Sequence, residues 1–194
     1  MARSPQPLVA LVALVVAPVW GWDKSVTVTT LSVDNGGPWG DWGDPEFCPK
    51  GSYATGFQLK VEPHKGFFGD DTGLNGVRLL CARGGAVTSS EGPRGSWLPG
   101  VSCPIGGVLV AFRLRVEPPR GIWDDTAATD LHGLCSDGSS LGGPGGHGGA
   151  WGNWSLPCSA PAAGGVCGIR TRLEPPQRGG DDTGLNSVLL FCCP

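Results

Sequence analysis

Three stretches of this chain repeat one pattern, and a chain that repeats itself three times is expected to build the same unit three times. The first stretch opens at Cys48, continues through Gly56-Phe57-Gln58-Leu59-Lys60-Val61-Glu62-Pro63 and Gly69-Asp70-Asp71-Thr72-Gly73-Leu74-Asn75, and closes at Cys81. The second opens at Cys103, holds Ala111-Phe112-Arg113-Leu114-Arg115-Val116-Glu117-Pro118 and Trp123-Asp124-Asp125-Thr126, and closes at Cys135. The third opens at Cys158, holds Gly168-Ile169-Arg170-Thr171-Arg172-Leu173-Glu174-Pro175 and Gly180-Asp181-Asp182-Thr183-Gly184-Leu185-Asn186, and closes at Cys192. From the first Asp of each Asp-Asp-Thr to its closing cysteine is 11 residues in every copy. The copies occupy about residues 26–84, 85–137 and 138–194 of a single domain spanning 22–194.

Each copy reads as β-structure. Phe57, Leu59 and Val61 alternate with Gln58 and Lys60, and Phe112, Leu114 and Val116 with Arg113 and Arg115. That period of two marks strands with one buried and one wet face. The proline after each glutamate ends the ladder, because it has no N–H to donate. A second apolar run follows Asp-Asp-Thr as Val77-Arg78-Leu79-Leu80 and Val188-Leu189-Leu190-Phe191, whereas copy two has Thr129-Asp130-Leu131-His132-Gly133 there; three copies offer about twelve short strands. A single sheet would leave an apolar face in water; three are expected to close around one core with pseudo-threefold symmetry. The 34 Gly and 18 Pro fit many tight turns and argue against long helices. Eight Trp and six Phe argue against disorder.

Export is expected from both ends of the argument. Arg3, the uncharged apolar run Leu8 to Val16 and the Pro18–Gly21 neighbourhood read as a signal peptide over residues 1–21. That run is shorter than the ~20 apolar residues a spanning helix needs, so membrane insertion is not expected. The eight cysteines, all beyond that segment, are even in number, as a disulfide framework requires. Separations of 33 and 32 residues pair Cys48 with Cys81 and Cys103 with Cys135. In the third copy, repeat position matches Cys158 with Cys192 and leaves Cys167 with Cys193; the swapped pairing stays open. The chain's net charge of −3 includes no basic patch, which speaks against nucleic acid as a partner.

Taken together, these residues resemble the vitelline membrane outer layer protein 1 family. The likeness rests on Gly36-Gly37-Pro38-Trp39-Gly40-Asp41-Trp42, Lys60-Val61-Glu62-Pro63, the Gly-Asp-Asp-Thr-Gly-Leu-Asn runs at 69–75 and 180–186, and Phe191-Cys192-Cys193. It covers about residues 26–193. It implies a β-prism of three four-stranded Greek-key sheets and residence in an extracellular coat. Copy two departs from the pattern: Trp39/Trp42 and Trp151/Trp154 each read as Trp-Gly-x-Trp, whereas copy two has Ser96-Trp97-Leu98-Pro99. One imperfect face is therefore expected.

Several residues have chemical potential. The pairs Asp70/Asp71, Asp124/Asp125 and Asp181/Asp182 can bind a hard cation, yet Asp and Thr side chains more often fix turns through nearby N–H groups. Repetition in all copies favours the turn, and no metal or other cofactor is expected. Glu62, Glu117 and Glu174, with Asp70, Asp124 and Asp181, have the makings of a two-carboxylate glycosidase site; the commoner outcome is pairing with Arg113, Arg115, Arg170 or Arg172. Trp39, Trp42, Trp97, Trp151 and Trp154 offer faces for sugar rings, or pack inward. Asn153-Trp154-Ser155 is an N-glycosylation sequon between tryptophans. The three histidines occupy non-equivalent positions, and no Gly-x-Ser-x-Gly elbow occurs.

These observations favour a secreted, non-enzymatic structural component of an extracellular coat or secretion, meeting glycoproteins or oligosaccharides. An enzyme acting on N-acetylglucosamine oligosaccharides and a soluble lectin are the two alternatives. Oligomeric state and the third copy's bridge pattern are not set by the sequence.

Overall fold

In a computed structural model, the structure describes residues 21–62, 73–117, 128–143, 145–146, 148–159, 163–175 and 184–194. The alternation in the repeats becomes strands wherever it occurs. In chain order these are β1 (Thr29–Leu31), β2 (Asp41–Trp42), β3 (Glu46–Phe47), β4 (Ala54–Val61), β5 (Leu74–Cys81), β6 (Ala86–Thr88) and β7 (Ser96–Trp97). They continue with β8 (Val101–Ser102), β9 (Leu109–Val116), β10 (Ala128–Cys135), β11 (Ser140–Gly142), β12 (Ala150–Trp151), β13 (Gly165–Leu173) and β14 (Leu185–Cys193). Among the described residues the one helical element is a 3-10 turn at Lys24–Val26, and no helix is long and apolar enough to cross a membrane.

The strands form three antiparallel sheets. The first runs β6-β5-β4-β7, with β8 also on β4; the second runs β11-β10-β9-β12. The third runs β1-β14-β13-β2, with β3 also on β13. In the first two, the third strand lies outside the second and the fourth returns beside the first, which is the Greek key. In the third sheet the same order is made from both ends of the chain, β13 and β14 coming last and β1 and β2 first. Two sheets carry a fifth, two-residue strand beyond the four expected.

The sheets are out of step with the repeats read from the sequence. Each Trp-bearing outer strand pairs into the sheet of the preceding copy: β7 of copy two joins β4, and β12 of copy three joins β9. β2 of copy one closes the circle on β13. Each stretch between sheets carries a cysteine bonded to the end of the second long strand of the sheet it enters: Cys48–Cys81, Cys103–Cys135 and Cys158–Cys192. A fourth bridge, Cys167–Cys193, ties β13 to β14, and no described cysteine is free. Loops of ~33 residues closed in this way stabilise the fold by ~3–4 kcal/mol each in the loop-entropy view.

The inward faces of all three sheets meet in one core. Phe57 and Leu59, Phe112 and Leu114, Ile169, Val188 and Leu190 are buried there together. Thr171 stands where Leu59 and Leu114 stand in the other sheets. It is fully buried, and its Oγ1 accepts from Ser90 N–H (2.9 Å) and donates to Ser90 O (3.1 Å), so the hydroxyl joins the third sheet to the loop after β6.

Candidate functional site

On the outward side, each sheet is crossed by the loop that delivers its Trp-bearing strand. The N–H groups of Gly37, Gly92 and Gly146 donate to the carbonyls of Asn186, Asn75 and Thr129, at 2.8, 2.6 and 2.6 Å. Three residues on, Gly40, Gly95 and Gly149 have φ of 76°, 78° and 78°. A Cβ at any of the three would come within 3 Å of the carbonyl of Leu173, Val61 or Val116. Only glycine takes this turn without strain.

The turn sets a tryptophan two residues later. Trp42 pairs with Arg172, Trp97 with Lys60 and Trp151 with Arg115, the same strand position in each sheet. This corrects the expected alignment of Trp39/Trp42 with Trp151/Trp154. The equivalent residues are Trp42, Trp97 and Trp151, so copy two has its tryptophan and that position is complete on all three faces. The signal lay in the sequence as Gly-x-x-Gly-x-Trp at 37–42, 92–97 and 146–151.

Cations hold these rings. The Arg78 guanidinium lies 4.0 Å from the Trp97 centroid, Arg113 lies 4.7 Å from Trp151, and Arg170 lies 5.6 Å from Trp42. Arg113 and Arg170 sit on the first long strand, where the first sheet has Gln58; there the cation comes from Arg78, the residue across the ladder. Arg170 and Arg172 also donate to Gly43 O (2.7 Å) and Gly40 O (2.9 Å), and Arg115 to Gly149 O (3.3 Å). The arginines expected beside the glutamates thus fasten the Trp strands. In the second sheet His132 stacks on Trp151 as well, with centroids 3.9 Å apart. Burial and the Arg113 and Arg115 charges hold its pKa below the ordinary imidazole value.

The tryptophans therefore divide. Trp42, Trp97 and Trp151 are half-buried and clamped, while Trp39 is 49% and Trp154 37% exposed. Trp39 occupies the turn position held by Arg94 and Gly148 in the other two loops. The exposed aromatic turn is thus present once, not three times.

Of the glutamates, Glu62 is buried with Oε2 4.0 Å from Arg94 Nη1, and Glu117 and Glu174 are half-buried at the ends of β9 and β13. The three Asp-Asp-Thr turns lie outside the described residues, as do residues 1–20 of the expected signal segment. Among the described residues no three His, Cys, Asp or Glu side chains gather as a metal site would require. Asn153 is exposed.

A closed prism of three Greek-key sheets is a fold that this chain shares with plant lectins. Artocarpin, solved as a complex with mannopentose, superposes with a TM-score of 0.52 at 16% identity, covering 87% of this chain and 98% of that one. A mannose-binding jacalin-related lectin from Ananas comosus superposes at 0.51 and 14% identity, covering 86% and 97%. Within that fold the sequence relationship is more particular. Residues 29–194 match the model of the family described as vitelline membrane outer layer protein I. The vitelline membrane outer layer protein 1 homologs of Homo sapiens and Mus musculus are 49% and 47% identical over 169 residues, 84% of this chain and 82% of each relative. The chain belongs to the vitelline membrane outer layer protein I family.

Proposed function

We propose that this protein is an exported component of an extracellular layer or secretion that binds carbohydrate through its exposed Trp39 turn, without turning it over. The observation that carries the reading is the rigid setting of Trp39, the most exposed indole among the described residues. Trp39 stands between Gly37, bonded to Asn186, and Gly40, bonded to Arg172, so its backbone is ordered before any ligand arrives. Pre-ordering lowers the entropic cost of binding, and an indole face removes apolar area of a sugar ring from water. Family membership and eight paired cysteines support an extracellular location. The mannose-binding of lectins with the same fold supports carbohydrate as the ligand class. Glycoproteins of the surrounding layer are the natural bearers of such sugars. One exposed Trp turn rather than three makes the binding monovalent.

Isothermal titration of the oxidised protein with chito- and manno-oligosaccharides, followed by product analysis of the same mixtures, tests this. Heat of binding with unchanged oligosaccharides is expected, and Trp39→Ala is expected to weaken it about tenfold or more. Binding that survives Trp39→Ala would move the site elsewhere. New oligosaccharide lengths would instead favour the enzyme reading and direct mutagenesis to Glu62, Glu117 and Glu174.

A further inference from the structure

The sequon lies on the rim of a groove. Asn153 to Leu156 form one wall and Ser32 to Asp34, the turn after β1, form the other, of a solvent-open groove of about 280 Å³. That is just below the ~300–1,000 Å³ of sites for drug-sized ligands and suits a single sugar ring. Asn153 and Asp34 are exposed and polar, and Trp154 contributes a 37% exposed indole whose ring lies 4.8 Å from the Arg113 guanidinium. Ser155 differs: it is buried, its Oγ accepts from Phe112 N–H (3.1 Å) and donates to Leu156 O (3.0 Å). The hydroxyl that a glycosylating enzyme must recognise is therefore used by the fold, while the asparagine that would be modified is left in solvent.

We propose that Asn153 carries an N-linked oligosaccharide whose first N-acetylglucosamine ring lies in this groove against Trp154. The donor is a polyprenyl-diphosphate-linked oligosaccharide. Asn153 Nδ2 forms a bond to C1 of the sugar as the C1–O bond to the diphosphate breaks; the lipid diphosphate leaves and the amide gives up one proton. Because the Ser155 hydroxyl is engaged in the folded protein, transfer precedes docking of this segment on β9. The opposite wall docks only once β14 has been made, since β1 pairs with β14 and Val28 N–H donates to Cys192 O (2.9 Å). The groove thus closes around a sugar already attached, and the indole and Asp34 meet its apolar face and its amide or hydroxyl groups.

The proposal rests on the export proposed above. The test is expression of the full chain in a secreting animal cell line, with intact mass measured before and after peptide-N-glycosidase treatment. A mass excess that the enzyme removes is expected, lost in Asn153→Gln and kept in Ser155→Thr, which retains both sequon and hydroxyl. Nuclear Overhauser contacts between the first sugar ring and the Trp154 indole are expected in the glycosylated protein. A glycan without those contacts would overturn the groove placement. Exported protein at its unmodified mass, beside a control sequon that is modified, would overturn the proposal alone; a chain that never enters the secretory route would overturn it together with the export reading.

Discussion

The outer faces of the first and second sheets are built on one template and solve its electrostatics differently. In the first, Lys60 is buried under the crossing loop but donates to Glu91 Oε1 and Gly92 O, both at 2.7 Å, and Arg78 donates to Thr88 Oγ1 at 3.2 Å. The Lys60 bond is the main reason the Glu91 carboxyl sits below its ordinary range. In the second, the loop position of Glu91 is Gly145, and the acid is instead Asp130 within β10. Asp130 is buried, its Oδ1 accepts from Leu131 N–H, and burial outweighs that bond and the Arg115 charge, pushing its pKa up to about 6. Arg113 Nε is buried with no hydrogen-bond partner among the described residues. Moving one carboxylate from a loop to a strand thus leaves Asp130 with a burial that its neighbours do not offset. The difference shows that a repeated fold repeats its backbone contacts more faithfully than its charge pairing.

Core substitutions should not feel this difference. Phe57→Ala and Phe112→Ala, at equivalent fully buried positions, are each expected to lose about 3–5 kcal/mol. Denaturant unfolding with disulfides intact measures both; losses differing by more than about 2 kcal/mol would mean that the sheets do not share one core.

Replacing the cation should separate the faces. Lys60→Met removes two short charged hydrogen bonds and is expected to cost about 1–3 kcal/mol. Arg115→Met removes one bond of 3.3 Å and a favourable charge beside Asp130, and is expected to cost about 1 kcal/mol or less. Equal costs would show that the second face is as well paired as the first.

The pH dependence should sharpen the comparison further. A carboxyl with a folded pKa of about 6 against 3.8 binds its proton more tightly when folded. Its contribution to stability therefore declines as pH rises from about 4 to about 6 and stays low above. Asp130→Asn is expected to gain about 1–2 kcal/mol at pH 7, a span of about 3 kcal/mol for two pKa units discounted for screening, and nothing below about pH 4. His132, depressed below 6.5, works the other way, its stability falling as pH drops through 6.5. Below about pH 6, down to the depressed His132 pKa, the two slopes oppose. Asp130→Asn should leave a stability curve that falls on acidification, and adding His132→Gln should flatten it. A curve already steep in the parent protein would contradict this balance.

Much of the prism was legible because burial writes period two into Phe57-Leu59-Val61 and Phe112-Leu114-Val116. The strand ends were legible because Glu-Pro stops a ladder. Thr171 was harder, since a hydroxyl at a core position makes sense only once the Ser90 backbone is seen to meet it. The tryptophans were misaligned for a related reason. Their strands are two residues long, too short for periodicity, and their register comes from a glycine turn over a different copy's sheet. Lys60 and Glu62 sit on outward positions that the sequence marks as wet; the crossing loop that buries them comes from about thirty residues downstream.

The third sheet, made from the first and last strands of the chain, has one more consequence. Its seam changes nothing in the architecture, because the sheets follow one another around the axis with the same crossing and the same inter-sheet bridge each time. Near the seam, Trp22 Nε1 donates to Ser52 O at 2.9 Å and the Tyr53 hydroxyl meets the carbonyl of Pro194. The beginning and end of the described chain therefore lie on one neighbourhood. Joined there and reopened at the solvent-facing Ile105 turn between the first and second sheets, the polypeptide would spell a different linear order for the same closed object. In that sense the molecule is a ring that happens to be cut.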